Sequence, residues 1–138
     1  MSFGLPEPLV YGPLTRTDLV RYAGASGDFN PLHHDHEFAG KAGLPDVMAH
    51  GMLSAGLLAS ALTKWFGAGY VRRYSIRFRS PVWPGDVLTA QCRSAETLAD
   101  DRGHIADLAL ELVRGDGDVV IAGTARVTIA GPSRLEPR

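Results

Sequence analysis

The fold is decided by residues 51–66, which read GMLSAGLLASALTKWF. A helix formed by this segment would be apolar almost all round, so other parts of the chain must cover most of its faces. Small residues such as Gly56 and Ala59 allow those parts to approach the helix closely. The segment therefore predicts a buried central helix, with Gly67 and Gly69 as stop signals. Its polar residues and its length make a membrane span a poor interpretation.

The chain after this segment is typical of strands, because apolar and polar side chains alternate. Residues 73–79 and 107–112 show the alternation, and residues 87–95 predict a weaker strand. Residues 114–118, RGDGD, predict a hairpin turn before a long last strand over 119–129. We expect about four strands in antiparallel succession. A single sheet curling around the apolar helix would satisfy this pattern and leave a charged outer face.

The N-terminal part of the chain predicts less regular structure. Residues 1–13 are rich in Pro and Gly and should run extended. Residues 15–18 resemble a capping box, so a short helix should follow and end at Gly24 or Gly27. Residues 26–46 predict a long, ordered loop with one helical turn, and such loops in compact domains are usually functional.

Length and composition exclude several classes of protein. The 138 residues fit one domain, with a core over about 14–130 and a frayed tail at 132–138. A net charge of −1 argues against a dedicated nucleic-acid or anionic-membrane binder, because phosphate binding requires clustered positive charge. Cys92 is the only cysteine, which excludes a disulfide framework. The first residues lack a secretory signal, so we expect a cytoplasmic protein.

Two polar segments are candidates for chemistry: residues 26–35, SGDFNPLHHD, and residues 49–52, AHGM, where the central helix begins. A carboxylate and an imidazole that hold one water between them can move its protons near neutral pH. The N-terminus of a helix adds free N–H groups and the positive end of a dipole. Without further context, Asp28 would instead be interpreted as a turn or cap residue.

A metal site is an alternative interpretation of the same residues. Imidazole and carboxylate ligands suit zinc, but the sequence contains no familiar ligand spacing. The candidates would be His33, His34, Asp35, His36 and His50. We expect no metal, and we expect His34 and His36 to lie on the surface of the loop.

The polar segments resemble the signature of the MaoC-like, or hydratase 2, family. Residues 22–35, YAGASGDFNPLHHD, carry the main part of this resemblance, and residues 49–52 are similar to the start of the family's central helix. Further similarity lies in the following strand and turn, at residues 77–78, 81–82 and 85–86. The resemblance runs over about 14–130 and implies an α+β hotdog fold, an antiparallel sheet wrapped around a central apolar helix.

The resemblance also implies a reaction, the reversible hydration of trans-2-enoyl thioesters to (3R)-hydroxyacyl thioesters of coenzyme A or acyl carrier protein. Asp28 matches the catalytic carboxylate and His33 the catalytic imidazole. Gly51 matches the residue whose backbone N–H binds the thioester carbonyl. No metal, nucleotide or flavin is needed. Three further residues would have supporting roles: Ser26, Asn30 and His50.

Partners of two kinds follow from the resemblance. Arg77 and Arg79 are candidates for contact with coenzyme A phosphates or an acidic carrier protein, although a solvated outer strand face is the simpler interpretation. The family implies a dimer with a continuous sheet. A homodimer is the simpler expectation, because this chain carries both Asp28 and His33. A heterodimer with a second hotdog subunit that lacks them is the alternative.

Two other functions remain open at the level of sequence. A hotdog thioesterase also presents a helix N-terminus to a thioester carbonyl, but the spacing Asp-x-Asn-Pro-x-His at residues 28–33 argues against it. A non-catalytic acyl-thioester binding subunit would have no need of both Asp28 and His33. We therefore expect an (R)-specific hydratase or dehydratase.

Overall fold

The computed structural model describes residues 4–101 and 103–129, and the predicted tail at 132–138 lies outside them. Short 3₁₀ helices cover Pro31–His33 and Ala68–Tyr70. Within the described ranges, no helix is both long and apolar enough to cross a membrane. The main elements in chain order are β1 (Leu9–Tyr11), α1 (Arg16–Ser26), α2 (His36–Lys41), α3 (Gly51–Phe66), β2 (Val71–Phe78), β3 (Leu88–Asp100), β4 (Gly103–Arg114) and β5 (Val119–Ile129).

Helix α3 has the bounds that the sequence predicted, and it packs against β2, β3, β4 and β5. Leu58, Ala61 and Leu62 are almost completely buried on its sheet-facing side. The hydroxyl of Tyr74 on β2 donates to the carbonyl of Ala55, 2.9 Å away, which ties the sheet to the helix. Helix and sheet therefore share one apolar core, as expected for an α+β protein.

The sheet is antiparallel throughout and has the strand order β1-β3-β4-β5-β2. The strand predictions for the second half of the chain are confirmed, and the hairpin turn joins β4 to β5. The sequence missed β1, which pairs with β3 at the opposite edge of the sheet from β2. Within the described residues, the sheet therefore has five strands instead of about four. The additional strand forms because the extended N-terminal segment pairs with β3, which lies far along the chain.

Helix α1 starts with the predicted capping box, in which Thr15 and Asp18 exchange side-chain and backbone hydrogen bonds. It ends at Ser26, followed by Gly27 with φ of 74°. The Gly27 N–H donates to the Ala23 carbonyl. Of the two predicted stop signals Gly27 is therefore correct, and Gly24 lies inside the helix. The left-handed backbone at Gly27 turns the chain into the polar segment that follows.

The segment over 26–46 is more helical than predicted, since it contains a 3₁₀ turn and α2. Asp46 connects this segment to the start of α1 through hydrogen bonds. The guanidinium of Arg16 donates to both carboxylate oxygens of Asp46, at 3.0 and 2.8 Å, and Nδ1 of His36 donates at 3.1 Å. The starts of α1 and α2 are thereby held against the chain that leads into α3.

Residues 47–49 connect that loop to the segment between β2 and β3. The Met48 N–H donates to the Leu32 carbonyl at 2.9 Å, and the Ala49 N–H donates to the Val82 carbonyl at 2.8 Å. Val47 and Ala49 are buried in the apolar core. The loop over 26–35 is therefore held beside the first turn of α3, which places the two polar segments of the sequence together.

Two glycine substitutions in and after α1 should have opposite effects on stability. We expect Gly24→Ala to raise the free energy of unfolding by about 0.5–1 kcal/mol, because the site is helical with open space around it. Gly27→Ala should lower it by about 1 kcal/mol, because φ of 74° disfavours a Cβ. Denaturant titration of both variants checks this prediction. A stability gain in Gly27→Ala would contradict the assigned cap.

The Asp46 contacts should make part of the stability depend on pH. The Arg16 hydrogen bonds, followed by the Val47 N–H, lower the pKa of Asp46 to about 2. The unfolded chain binds this proton more readily, so the contribution is complete above about pH 4 and is lost as the pH falls through about 2. We expect Asp46→Asn to lower the free energy of unfolding at pH 7 by up to about 1 kcal/mol. The difference from wild type should shrink below pH 4.

Candidate active site

A chain of short side-chain to backbone hydrogen bonds shapes the loop that carries Asp28. Oγ of Ser26 accepts from the Asp28 N–H at 3.2 Å. Oδ1 of Asp28 accepts from the Asn30 N–H at 3.2 Å, and Oδ1 of Asn30 accepts from the Leu32 N–H at 3.0 Å. Such Asx turns fix the backbone locally. Oδ2 of Asp28 accepts none of these bonds, and it belongs to a side chain that is half exposed.

His33 is held in one tautomer by the backbone. Its Nδ1 lies 2.5 Å from the carbonyl oxygen of Met48, which can only accept a hydrogen bond. Nδ1 therefore carries the proton, and Nε2 of the neutral ring presents a lone pair. Nε2 lies 3.7 Å from Oδ2 of Asp28. That gap is too long for a direct hydrogen bond and leaves both atoms able to bind one water.

His50 lies behind this pair and is only 2% exposed. Its Nε2 donates to the backbone carbonyl of Asp28, at 3.1 Å. Its ring stacks on His33 with centroids 3.7 Å apart and planes inclined by 23°. The ring of Tyr22 makes an edge contact with the His50 ring, with centroids 4.9 Å apart. The structure thus brings His50, a predicted supporting residue, into contact with both Asp28 and His33.

The same three side chains must be considered as metal ligands. Asp28, His33 and His50 each offer a ligand atom, and these atoms lie within 4.8 Å of one another. A bound zinc lies close to the plane of each imidazole ring, about 2 Å from the nitrogen. Because the two rings stack with planes inclined by only 23°, their lone pairs do not converge on one point. The geometry favours separate roles for the two rings over joint ligation of one ion.

Helix α3 begins at Gly51, which lines the same cavity as Asp28 and His50. The first N–H groups of a helix have no acceptor within it, so the start of α3 provides free donors and the positive helix end at this cavity. A Cβ on Gly51 would lie 2.9 Å from Cε1 of Phe78. Glycine at this position therefore permits the close approach of the Phe78 ring, and it also places no side chain in the way of an oxygen atom at the N–H.

Two cavities meet at Gly51 and Phe78. One, of about 320 Å³, is lined by residues that include Asp28, His50 and Met52. The other, of about 420 Å³, extends along Arg79, and its lining also includes Ser54, Val82 and Val120. Together they form a cleft across the N-terminus of α3. Asp28 lines one end of the cleft, and a mostly apolar wall forms the other.

The two predicted arginines occupy different places. Arg79 lines the larger cavity, next to Gly51. Arg77 is exposed and, by the alternation of β2, lies on the sheet face opposite to Phe78. Sequence reasoning missed Tyr22 and Phe78 as parts of the site. Phe78 continues the apolar alternation of β2, a pattern typical of a buried face, yet it is 57% exposed.

Comparison with known proteins agrees with this geometry. The chain matches the MaoC like domain family over residues 7–105. A 3-hydroxybutyryl-CoA dehydratase of Methylorubrum extorquens is 32% identical, with 99% of this chain and 86% of the relative aligned. An (R)-specific enoyl-CoA hydratase of Rhodospirillum rubrum is 39% identical over 84% of this chain and 80% of the relative.

The architecture agrees as well. The solved structure of the (R)-hydratase from A. caviae involved in PHA biosynthesis is similar, with a TM-score of 0.77 and 27% sequence identity. The similarity covers 94% of this chain and 98% of that one. The antiparallel sheet around α3 is thus the hotdog fold. On sequence and on structure, this chain belongs to the MaoC-like domain family.

Proposed function

We propose that this protein is an (R)-specific hydratase or dehydratase that interconverts trans-2-enoyl thioesters and (3R)-hydroxyacyl thioesters. The observation that carries the proposal is the gap of 3.7 Å between Oδ2 of Asp28 and Nε2 of His33, beside the free N-terminus of α3. The similarity to an (R)-specific enoyl-CoA hydratase and to a 3-hydroxybutyryl-CoA dehydratase supports the same reaction.

In the hydration direction, one water donates to Oδ2 of Asp28 and to Nε2 of His33. As its oxygen bonds to C3, one of the two groups takes the proton that leaves. The π electrons of the C2–C3 bond move toward the thioester carbonyl and form an enolate. The pair then returns one proton to C2. The product therefore carries the added water as a hydroxyl group on C3 and a hydrogen on C2. Dehydration is the reverse.

Gly51 supplies the stabilisation that the enolate requires. Its backbone N–H, at the positive end of α3, is placed to donate to the thioester oxygen as negative charge develops there. Preorganised donors of this kind contribute about 10²–10³ in rate. The fixed helix start therefore supplies a donor whose position does not depend on a mobile side chain.

The assay for this reaction is loss of the enoyl-thioester absorbance with crotonyl-CoA and a longer trans-2-enoyl-CoA. We expect the purified chain to hydrate at least one of them. Asp28→Asn and His33→Ala should each lower kcat by at least about 10²-fold, because each removes one partner of the water. The matched control is His34→Ala, since His34 lies in the same loop with an exposed side chain.

Circular dichroism of each variant shows that it is folded. A folded Asp28→Asn or His33→Ala variant with a near wild-type rate would contradict the assignment of the pair. Release of free coenzyme A thiol in place of hydration would instead identify a thioesterase.

We also propose that the chain forms a homodimer through β2. This strand is eight residues long and pairs with β5 on one side, and its other edge has no strand partner among residues 4–101 and 103–129. Long unpaired edges favour pairing with another chain. Phe78 and Met52, more than half exposed, add apolar surface at the end of β2 nearest the site. Pairing of two β2 strands would produce one continuous sheet.

Sedimentation velocity checks the oligomeric state. We expect a species of twice the 14.8 kDa chain mass at micromolar concentration. A stable and fully active monomer would contradict the homodimer. An inactive chain that gains activity only with a second hotdog subunit would favour the heterodimer.

A further inference from the structure

His50 connects the start of α3 to both members of the proposed acid–base pair. It occupies the cap position of the helix, but its side chain makes no capping bond to the helix backbone. The imidazole is directed into the protein instead, where it is 2% exposed. Burial of a polar ring in this way needs a compensating interaction, so its contacts indicate what it does.

The first contact fixes the main chain at Asp28. Nε2 of His50 donates to the Asp28 carbonyl across 22 positions of sequence. The carbonyl can only accept, so the proton of neutral His50 is on Nε2. All the other hydrogen bonds that hold Asp28, those to Ser26 and Asn30, are local to the loop. Among the described contacts, the bond from His50 is therefore the one that ties the Asp28 main chain itself to the helix start.

The second contact orients His33. One hydrogen bond, from Nδ1 to the Met48 carbonyl, fixes a point on the His33 ring but permits rotation about that bond. The stacked ring of His50, with centroids 3.7 Å apart, restricts this rotation and keeps Nε2 facing Asp28. Tyr22 in turn contacts the ring of His50, with centroids 4.9 Å apart.

We propose that His50 is a positioning residue for the reaction, which sets the separation of Asp28 and His33 through one hydrogen bond and one ring contact. This inference rests on the proposed hydratase function. His50 does not need to touch the substrate or change its protonation state. Misplacement of reacting groups by about 1 Å can cost up to about 10²-fold in rate, so the effect should be on kcat.

Two substitutions separate the two contacts. His50→Phe keeps a ring to stack on His33 but removes the donor to Asp28. His50→Gln keeps an N–H at a similar reach but removes the ring. We expect kcat to fall by about tenfold or more in both, and KM to stay within about twofold, because the Gly51 donor is retained. The matched control, His34→Gln, alters an exposed histidine that donates to the Phe29 carbonyl in the same loop.

The outcomes are distinct. Wild-type kcat in folded His50→Phe and His50→Gln overturns the proposal. A rise in KM at constant kcat also overturns it, since that result assigns His50 to substrate binding. A lower kcat at constant KM in the two variants, with His34→Gln unchanged, supports it.

Nitrogen-15 NMR of the wild-type imidazoles keeps the proposal testable if the variants do not fold or if the wild-type chain has no hydratase activity. We expect an Nε2–H signal for His50 and an Nδ1–H signal for His33, both slow to exchange with solvent. The opposite tautomer at either residue overturns the positioning geometry, whatever the activity. Expected tautomers in an inactive wild-type chain would contradict the hydratase function alone.

Discussion

The hydrogen bond from Nδ1 of His33 to the Met48 carbonyl is the constraint on which the candidate site depends. It assigns the ring proton to the buried nitrogen and leaves Nε2 as the reactive atom. The Met48 N–H donates to the Leu32 carbonyl of the same loop, and the Ala49 N–H donates to the carbonyl of Val82, a buried residue between β2 and β3. The acid–base pair is therefore attached to the core by main-chain bonds, and its geometry follows from folding.

The start of α3 contributes both to the packing of the fold and to the proposed reaction. The apolar faces of the helix require the sheet to cover it, whereas Gly51 and Met52 at its N-terminus are exposed. Gly51 serves both needs there, because it admits the ring of Phe78 and offers an unobstructed N–H. Apolar burial thus places a positive helix end beside a carboxylate and an imidazole, which is the charge arrangement that enolate formation requires.

The elements that the sequence predicted correctly are those determined by residues close together in the chain. The bounds of α3 and the strand β5 followed from periodicity and turn residues. Gly24 as a helix end was wrong, because open space around it allows the helix to continue to Gly27. Strand β1 was missed because its partner is distant in sequence. In the site, Asp28 and His33 came from a motif, but the exposure of Phe78 and the position of Arg79 in a cavity lining depend on the tertiary structure.

If Asp28 and His33 act on one shared water, the addition has a stereochemical consequence that can be measured. Asp28 and His33 flank a single gap, so the oxygen and the proton should reach the same face of the substrate. We would hydrate crotonyl-CoA in deuterium oxide and determine the relative configuration at C2 and C3 of the product by NMR. We expect syn addition with the 3R configuration. Anti addition, or a mixture at C2 formed during the first turnover, would contradict it.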